Sequence, residues 1–161
     1  PLDGLRYVGG DIVKEIVDVN SRLYAKENVE FHHFNLLRDI APAADVVILR
    51  DVFIHFRAPQ IGHALGLLEQ AGIEYFLTTH HTDIDAIHTD GVPLFKPSIH
   101  ELGGPNADTL GVDFTFRPIN FTASPLLWPE PLDLIMEGAG AWNGCKSLAL
   151  WRFRDLPPHW R

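Results

Sequence analysis

Asp11 closes the stretch Tyr7-Val8-Gly9-Gly10-Asp11-Ile12-Val13, an apolar strand that runs into a glycine turn and then a carboxylate. Many nucleotide-binding α/β domains use this arrangement to offer an acceptor-only group to the two hydroxyl donors of a ribose. The same carboxylate would also cap a helix starting at Ile12, and the two roles are compatible. Arg50 and Asp51 end the apolar run Asp45-Val46-Val47-Ile48-Leu49, at the carboxyl edge where open α/β sheets bind their ligands. The plainer reading is an Arg-Asp pair that only fixes its loop. His55 follows in Val52-Phe53-Ile54-His55, and an imidazole can take a proton from an acidic hydroxyl or amine near neutral pH. Its plainer reading is a cap or packing residue of the next helix. His80 and His81 fall at the carboxyl end of another strand, where one of them is placed to touch a substrate. Neighbours on a strand point to opposite faces, so the pair supplies at most one inward ligand. Together with Asp83, Asp85 and His88 they offer ligand types for zinc or manganese. The run lacks the i, i+4 helical spacing of zinc hydrolases, which leaves a metal-dependent hydrolase as the weakest alternative.

The elements that must hold these residues alternate. Leu5 to Val8 reads as a strand, and Ile12, Ile16, Val19 and Leu23 recur on one face of a helix. Val29 to Phe34 is a second strand, closed by Asn35 and a turn around Pro42. Asp45 to Leu49, apolar throughout after its first residue, is expected to be central and covered on both faces. Pro59 suits the first turn of a helix whose buried stripe is Ile61, Leu65 and Leu68 and whose stop is Ala71-Gly72. Tyr75 to Thr79 is the next strand, and Leu132 to Met136 and Ser147 to Phe153 form a closing antiparallel hairpin around a glycine-rich turn. Between Thr82 and Pro131 the pattern dissolves into Gly, Pro, Asn and Asp, a length that suits a lid or binding loop.

With 161 residues, the chain fits a single domain, 1-161, with a substantial core. A net charge of -8 opposes binding to nucleic acid through phosphate neutralisation, so a small molecule is the expected partner. No apolar run is long enough for a membrane helix. The lone Cys145 forms no internal disulfide, which favours a reducing, cytoplasmic setting.

The order of these segments, and above all Leu49-Arg50-Asp51-Val52-Phe53-Ile54-His55-Phe56, resembles a class I S-adenosylmethionine-dependent methyltransferase from its second strand onward. Arg117-Pro118-Ile119-Asn120-Phe121 and Leu150-Trp151 are similar to features of one bacterial branch. The resemblance covers nearly the whole chain. It implies an α/β, Rossmann-like sandwich with a mostly parallel sheet and S-adenosylmethionine as cofactor. Asp11 would bind the ribose, Ile12 would pack on the adenine, Asn35 and Leu36 would lie near its amino group, and Arg50 would complete the cofactor side. His55, Asp51 and His80 would stand on the catalytic side. Asn35 departs from the acidic residue the family often has there. Phe95, Phe114, Phe116, Phe121 and Trp128 would wall the substrate or, as the preferred reading, belong to the core.

The resemblance also implies a departure. The family's first strand normally lies between the second and fourth and carries the glycine-rich loop, yet only six residues precede Tyr7. Buried strand edges without partners cost roughly 1 to 3 kcal/mol per group. The chain is therefore expected to be N-terminally incomplete, to pair the flanking strands directly, or to associate as a homodimer. The functional expectation is methyl transfer to a small molecule, and the alternative is a non-catalytic binding or remnant protein with the same fold.

Overall fold

The computed structural model describes residues 4–82, 119–123, 126–137 and 146–160. Among these the order is β1 (Tyr7–Asp11), α1 (Lys14–Tyr24), β2 (Val29–His33), β3 (Val46–Leu49), α2 (Ala58–Gln70), β4 (Tyr75–His81), β5 (Asp133–Met136) and β6 (Lys146–Arg152). Single 3-10 turns stand at Phe53–His55, Phe153–Asp155 and Pro158–Trp160. No helix among the described residues is long and apolar enough to cross a membrane.

The fold is α/β, but its strands make two sheets. β1 pairs in parallel with β2, and the other four run in the order β3-β4-β6-β5. β3 and β4 are parallel, whereas β6 is antiparallel to both β4 and β5. The expectation of a mostly parallel sheet is thus corrected. The late hairpin accounts for the difference, because β6 lies inside the sheet between β4 and β5 and contributes two antiparallel ladders. The hairpin strands themselves stand where the apolar runs put them; their glycine-rich connection lies outside the described residues.

α2 forms for the reasons its sequence contains. Pro59 sits in its first turn, the side chain of Gln60 accepts the Arg57 N–H at 2.8 Å, and Gly72 beyond its end takes φ +78. Its stripe of Ile61, Ala64, Leu65 and Leu68 joins Leu49, Phe53, Phe76, Phe121, Trp128 and Trp151 in one buried cluster. Residues on one face of a strand alternate. On one face of the four-stranded sheet Leu49, Phe76, Thr78, His80, Ala149 and Trp151 are buried, and burial ends at β5, where Leu134 and Met136 on the same face are exposed.

The opposite face is different. The strand register aligns Ile48 with Leu77 and Leu150, and Leu148 with Ile135. Ile48 is 61% exposed, Ile135 is 56% exposed, and Val46 is open as well. β3 is therefore not covered on both faces, contrary to its apolar run. α1 repeats the pattern: it packs on β1 and β2, yet Val17 is its only buried residue, and the Ile16-Val19-Leu23 stripe faces outward.

β1 does not pair with β3. Its glycines lie inside the strand and form no turn. A Cβ on Gly9 would come 2.6 Å from Cδ1 of the Phe31 ring, so close packing against β2 explains that residue. The two halves of the molecule are tied beyond β2, where Leu36 and Leu37 pack on the main core and the Leu37 carbonyl lies 3.1 Å from His63 Nε2.

This asymmetry is measurable by urea denaturation. Phe76→Ala, in the buried aromatic cluster, is expected to cost about 3 to 5 kcal/mol. Ile48→Ala, on the open face, is expected to cost under about 1 kcal/mol. Equal losses would show that the Ile48 face is covered in solution.

Candidate active site

The residues singled out from the sequence fall into two groups, each at the carboxyl ends of parallel strands. Asp11 ends β1 and is the register partner of His33 at the end of β2. Its Oδ1 accepts the Val13 N–H at 2.8 Å, which fixes the turn into α1. α1 starts at Lys14 with Val13 as its cap residue, so Asp11 shapes the approach to the helix from one residue further back. Ile12 is exposed beside it, and its carbonyl lies 2.9 Å from His33 Nε2. Asn35 uses its side-chain oxygen to accept the Leu37 N–H at 2.9 Å, while its own N–H donates to Asp39 Oδ2 at 2.8 Å. Leu36 is partly buried against the core.

The second group is built around Asp51. This residue follows β3 in the left-handed region, at φ 57, a conformation that costs an ordinary residue roughly 1 to 2 kcal/mol and that Asp eases through local hydrogen bonds. Its N–H donates to Thr79 Oγ1 at 2.7 Å, and the Thr79 hydroxyl donates back to Asp51 Oδ1 at 3.1 Å. Lys146 Nζ grips both carboxylate oxygens, at 2.8 Å and 2.9 Å. The same ammonium lies 3.1 Å from Glu137 Oε2, and Glu137 Oε1 accepts from Arg50 Nε at 2.5 Å. Arg50 closes the circle 3.3 Å from Asp51 Oδ2. Two cations and two anions thus alternate around a ring at one end of the sheet.

Burial alone would raise the Asp51 pKa, but the hydrogen bonds from Lys146 and Thr79 and the nearby cations hold it below the usual carboxylate range. Burial likewise opposes the charge on Lys146, and its two carboxylate partners reverse that and raise its pKa. His55 stands on the 3-10 turn after Asp51, anchored by buried Phe53 and Ile54. Burial lowers its pKa, and the Asp51 charge acts in the other direction.

His80 and His81 are inside the protein. His80 is 2% exposed, its ring between Phe121 and Trp151 and its Nδ1 accepting the Phe121 N–H at 3.3 Å. His81 Nδ1 accepts the Ile119 N–H at 3.1 Å, and the His81 N–H donates to the Ile119 carbonyl at 2.8 Å. Both rings therefore receive the chain as it returns to β4. Burial drives both pKa values down to about 4, and the two rings are neutral at pH 7. Phe121 and Trp128 are core residues, stacked at 4.1 Å. Phe95, Phe114, Phe116, Asp83, Asp85 and His88 lie outside the described residues, and no cluster of three metal-type ligands occurs among those described.

The sequence reading missed Thr79, Glu137 and Lys146. The available signal was a lysine opening a mostly apolar strand that pairs on both edges.

No family model and no curated protein matches the sequence. Solved structures do match its backbone. Human N-acetylserotonin methyltransferase in complex with S-adenosylmethionine superposes with a TM-score of 0.52 at 17% identity, over 92% of this chain and 41% of that one. LepI in complex with S-adenosylmethionine gives 0.55 at 11% identity, over 91% and 36%. Magnesium protoporphyrin IX methyltransferase from Synechocystis, with bound S-adenosylhomocysteine, gives 0.50 at 15% identity, over 92% and 64%. The fold is that of the class I methyltransferases. This chain spans less than two thirds of the length of each of these three proteins.

The buried histidines set a pH dependence. In the unfolded chain they take protons near pH 6.5, and in the folded chain only near 4. The unfolded state binds more protons between those limits, so stability is full above about pH 6.5 and falls as the pH drops toward 4. The loss is on the order of 3 kcal/mol per histidine. Urea midpoints measured from pH 7 to 4.5 are expected to decline, and to decline less in His80→Gln. A flat profile would place both rings in contact with water.

Proposed function

We propose that this chain belongs to an S-adenosylmethionine-dependent methyltransferase acting on a small molecule. The observation that carries the reading is Asp11: it ends a parallel strand of a methyltransferase fold, spends Oδ1 on the Val13 N–H, and has no partner for Oδ2 among the described residues. A carboxylate in that state accepts from a ribose hydroxyl without giving up its own turn. Exposed Ile12 supplies an apolar surface for an adenine ring. Asn35 and Leu36 border it, with the second lone pair of the Asn35 oxygen as acceptor. Arg50 stands at the carboxyl end of β3, in the other sheet.

When bound, the cofactor supplies an electrophilic methyl group on a sulfonium. The protein's own tasks are then few: align the acceptor, exclude water, and remove one proton. His55 takes that proton from the acceptor hydroxyl or amine, and Asp51 steadies the charge that forms on the imidazole. His80 acts from behind, holding Phe121 and the returning chain against β4. A neutral or cationic small molecule fits an acidic chain better than nucleic acid does, and a chain with one cysteine fits a reducing, cytoplasmic setting.

The working form, in this reading, has one more parallel strand between β1 and β3, with a glycine-rich loop at its carboxyl end. Support comes from the split between the two sheets and from the uncovered Ile48 face and α1 stripe beside it. For this chain by itself, a two-fold dimer that covers the same apolar surface on both copies is the economical arrangement. The split also favours a second reading, a non-catalytic protein that keeps the fold without the cofactor loop. One solved structure of this fold, at TM-score 0.56 and 12% identity, is described as a pericyclic reaction enzyme, so the fold carries more than one chemistry.

Calorimetric titration with S-adenosylhomocysteine separates the readings. Binding is expected, and Asp11→Ala should weaken it by roughly 1.5 to 3 kcal/mol through loss of charge-assisted bonds to the ribose. Unchanged affinity in a folded variant rejects Asp11 as the ribose group. No binding at millimolar ligand supports the non-catalytic reading of the chain as it stands. Sedimentation equilibrium tests the dimer, which a monomer at high micromolar concentration would exclude.

A further inference from the structure

The ring of four charges is larger than loop fixation requires. Asp51 is already pinned by the paired hydrogen bonds with Thr79, one from its own N–H and one to its Oδ1. Lys146 adds a grip on both carboxylate oxygens from 95 residues away in sequence, and its side chain is only 11% exposed. A lysine buried that far is stable only while anions surround it, and Glu137 provides the second one. Arg50 ties Glu137 back to the loop it shares with Asp51. The ammonium thus fixes where the Asp51 carboxylate sits.

We propose that Lys146 is a positioning residue, one that holds the Asp51 carboxylate in a single orientation beside His55 and balances its charge there. The proposal rests on the reading of Asp51 and His55 as substrate-side groups. The charged groups acting on this corner are Asp51 itself, Arg50 from the same loop, Glu137 after β5 and Lys146 opening β6. On β4, His81 feels Lys146, Asp51 and Glu137 as well, while His80 couples to His81. The His55 resonance is identified by its loss in His55→Gln.

The test is the imidazole titration of His55, followed by proton-carbon NMR on the intact chain without cofactor. In Lys146→Met the unbalanced Asp51 charge should raise the His55 midpoint by roughly half a unit or more, and Lys146→Arg should return it toward wild type. Coincident midpoints in wild type and a folded Met variant would overturn the proposal. Should the Met variant fail to fold, Glu137→Gln serves instead. It frees the ammonium to pair with Asp51 alone, so the His55 midpoint should fall, and no change would again be fatal. None of these readings requires the cofactor. Failure to bind S-adenosylhomocysteine would therefore count against methyl transfer by the chain as it stands and leave the Lys146 result standing.

Discussion

A buried strand must pair its backbone on both edges, and β4 meets that demand in three pieces. β6 covers one edge from Tyr75 to His81. β3 covers the other, but only as far as Leu49 opposite Thr78. Beyond that point the His81 N–H would be buried without a partner, a loss of roughly 1 to 3 kcal/mol. The returning chain supplies Ile119, whose carbonyl accepts it at 2.8 Å, and the two imidazoles accept the N–H groups of Ile119 and Phe121. His80 and His81 are neutral because this exchange takes place away from water. The aromatic cluster of Phe76, Phe121, Trp128 and Trp151 follows from the same anchoring, since Phe121 reaches Trp128 only when its own backbone is held against β4.

The other parallel pair has no such support. β1 and β2 satisfy each other along one edge, and α1 buries one residue, Val17, against them. A two-stranded sheet with one helix and so little covered apolar surface has few contacts that resist opening. Among the described residues it is tied to the main core through Leu36, Leu37, Ala41 and His63. Within those residues the half that carries Asp11 has the smaller buried core. The half that carries Asp51 and His55 stands on the main core.

The alternation of strand and helix was legible because apolar runs and periodicity report which residues share a face. They do not report what lies over that face. The Ile16-Val19-Leu23 stripe is apolar and yet open in the structure, and the apolar run of β3, which implies cover on both faces, leaves its Val46-Ile48 side open as well. Gly9 and Gly10 looked like a turn because glycine punctuates loops, whereas Gly9 yields to the Phe31 ring across the ladder. Arg50 and Asp51 were found by their place at a strand end. Lys146 and Glu137 were not, since register, and hence a contact across 95 or 87 residues, is fixed only once β6 is threaded between β4 and β5. Alternation also kept the adjacent histidines from acting as a pair: with opposite faces available, each ring found its own backbone donor.

The position of β6 explains why the charge ring forms at all. Lys146 opens β6 opposite His81, and the Glu137 N–H bonds the Lys146 carbonyl at 3.0 Å as β5 ends. Thr79, Lys146 and Glu137 therefore meet on one face at the carboxyl end of β4, where the left-handed turn at Asp51 brings its carboxylate across from β3. Had β5 occupied the place of β6, a parallel neighbour's start would have lain at the far end of the sheet. The antiparallel insertion is what carries a lysine to the end that parallel strands reserve for ligands. Charge balance at the candidate site is in this sense a consequence of topology, and the antiparallel departure from a parallel sheet is also what brings Lys146 and Glu137 to the carboxyl edge of β3 and β4.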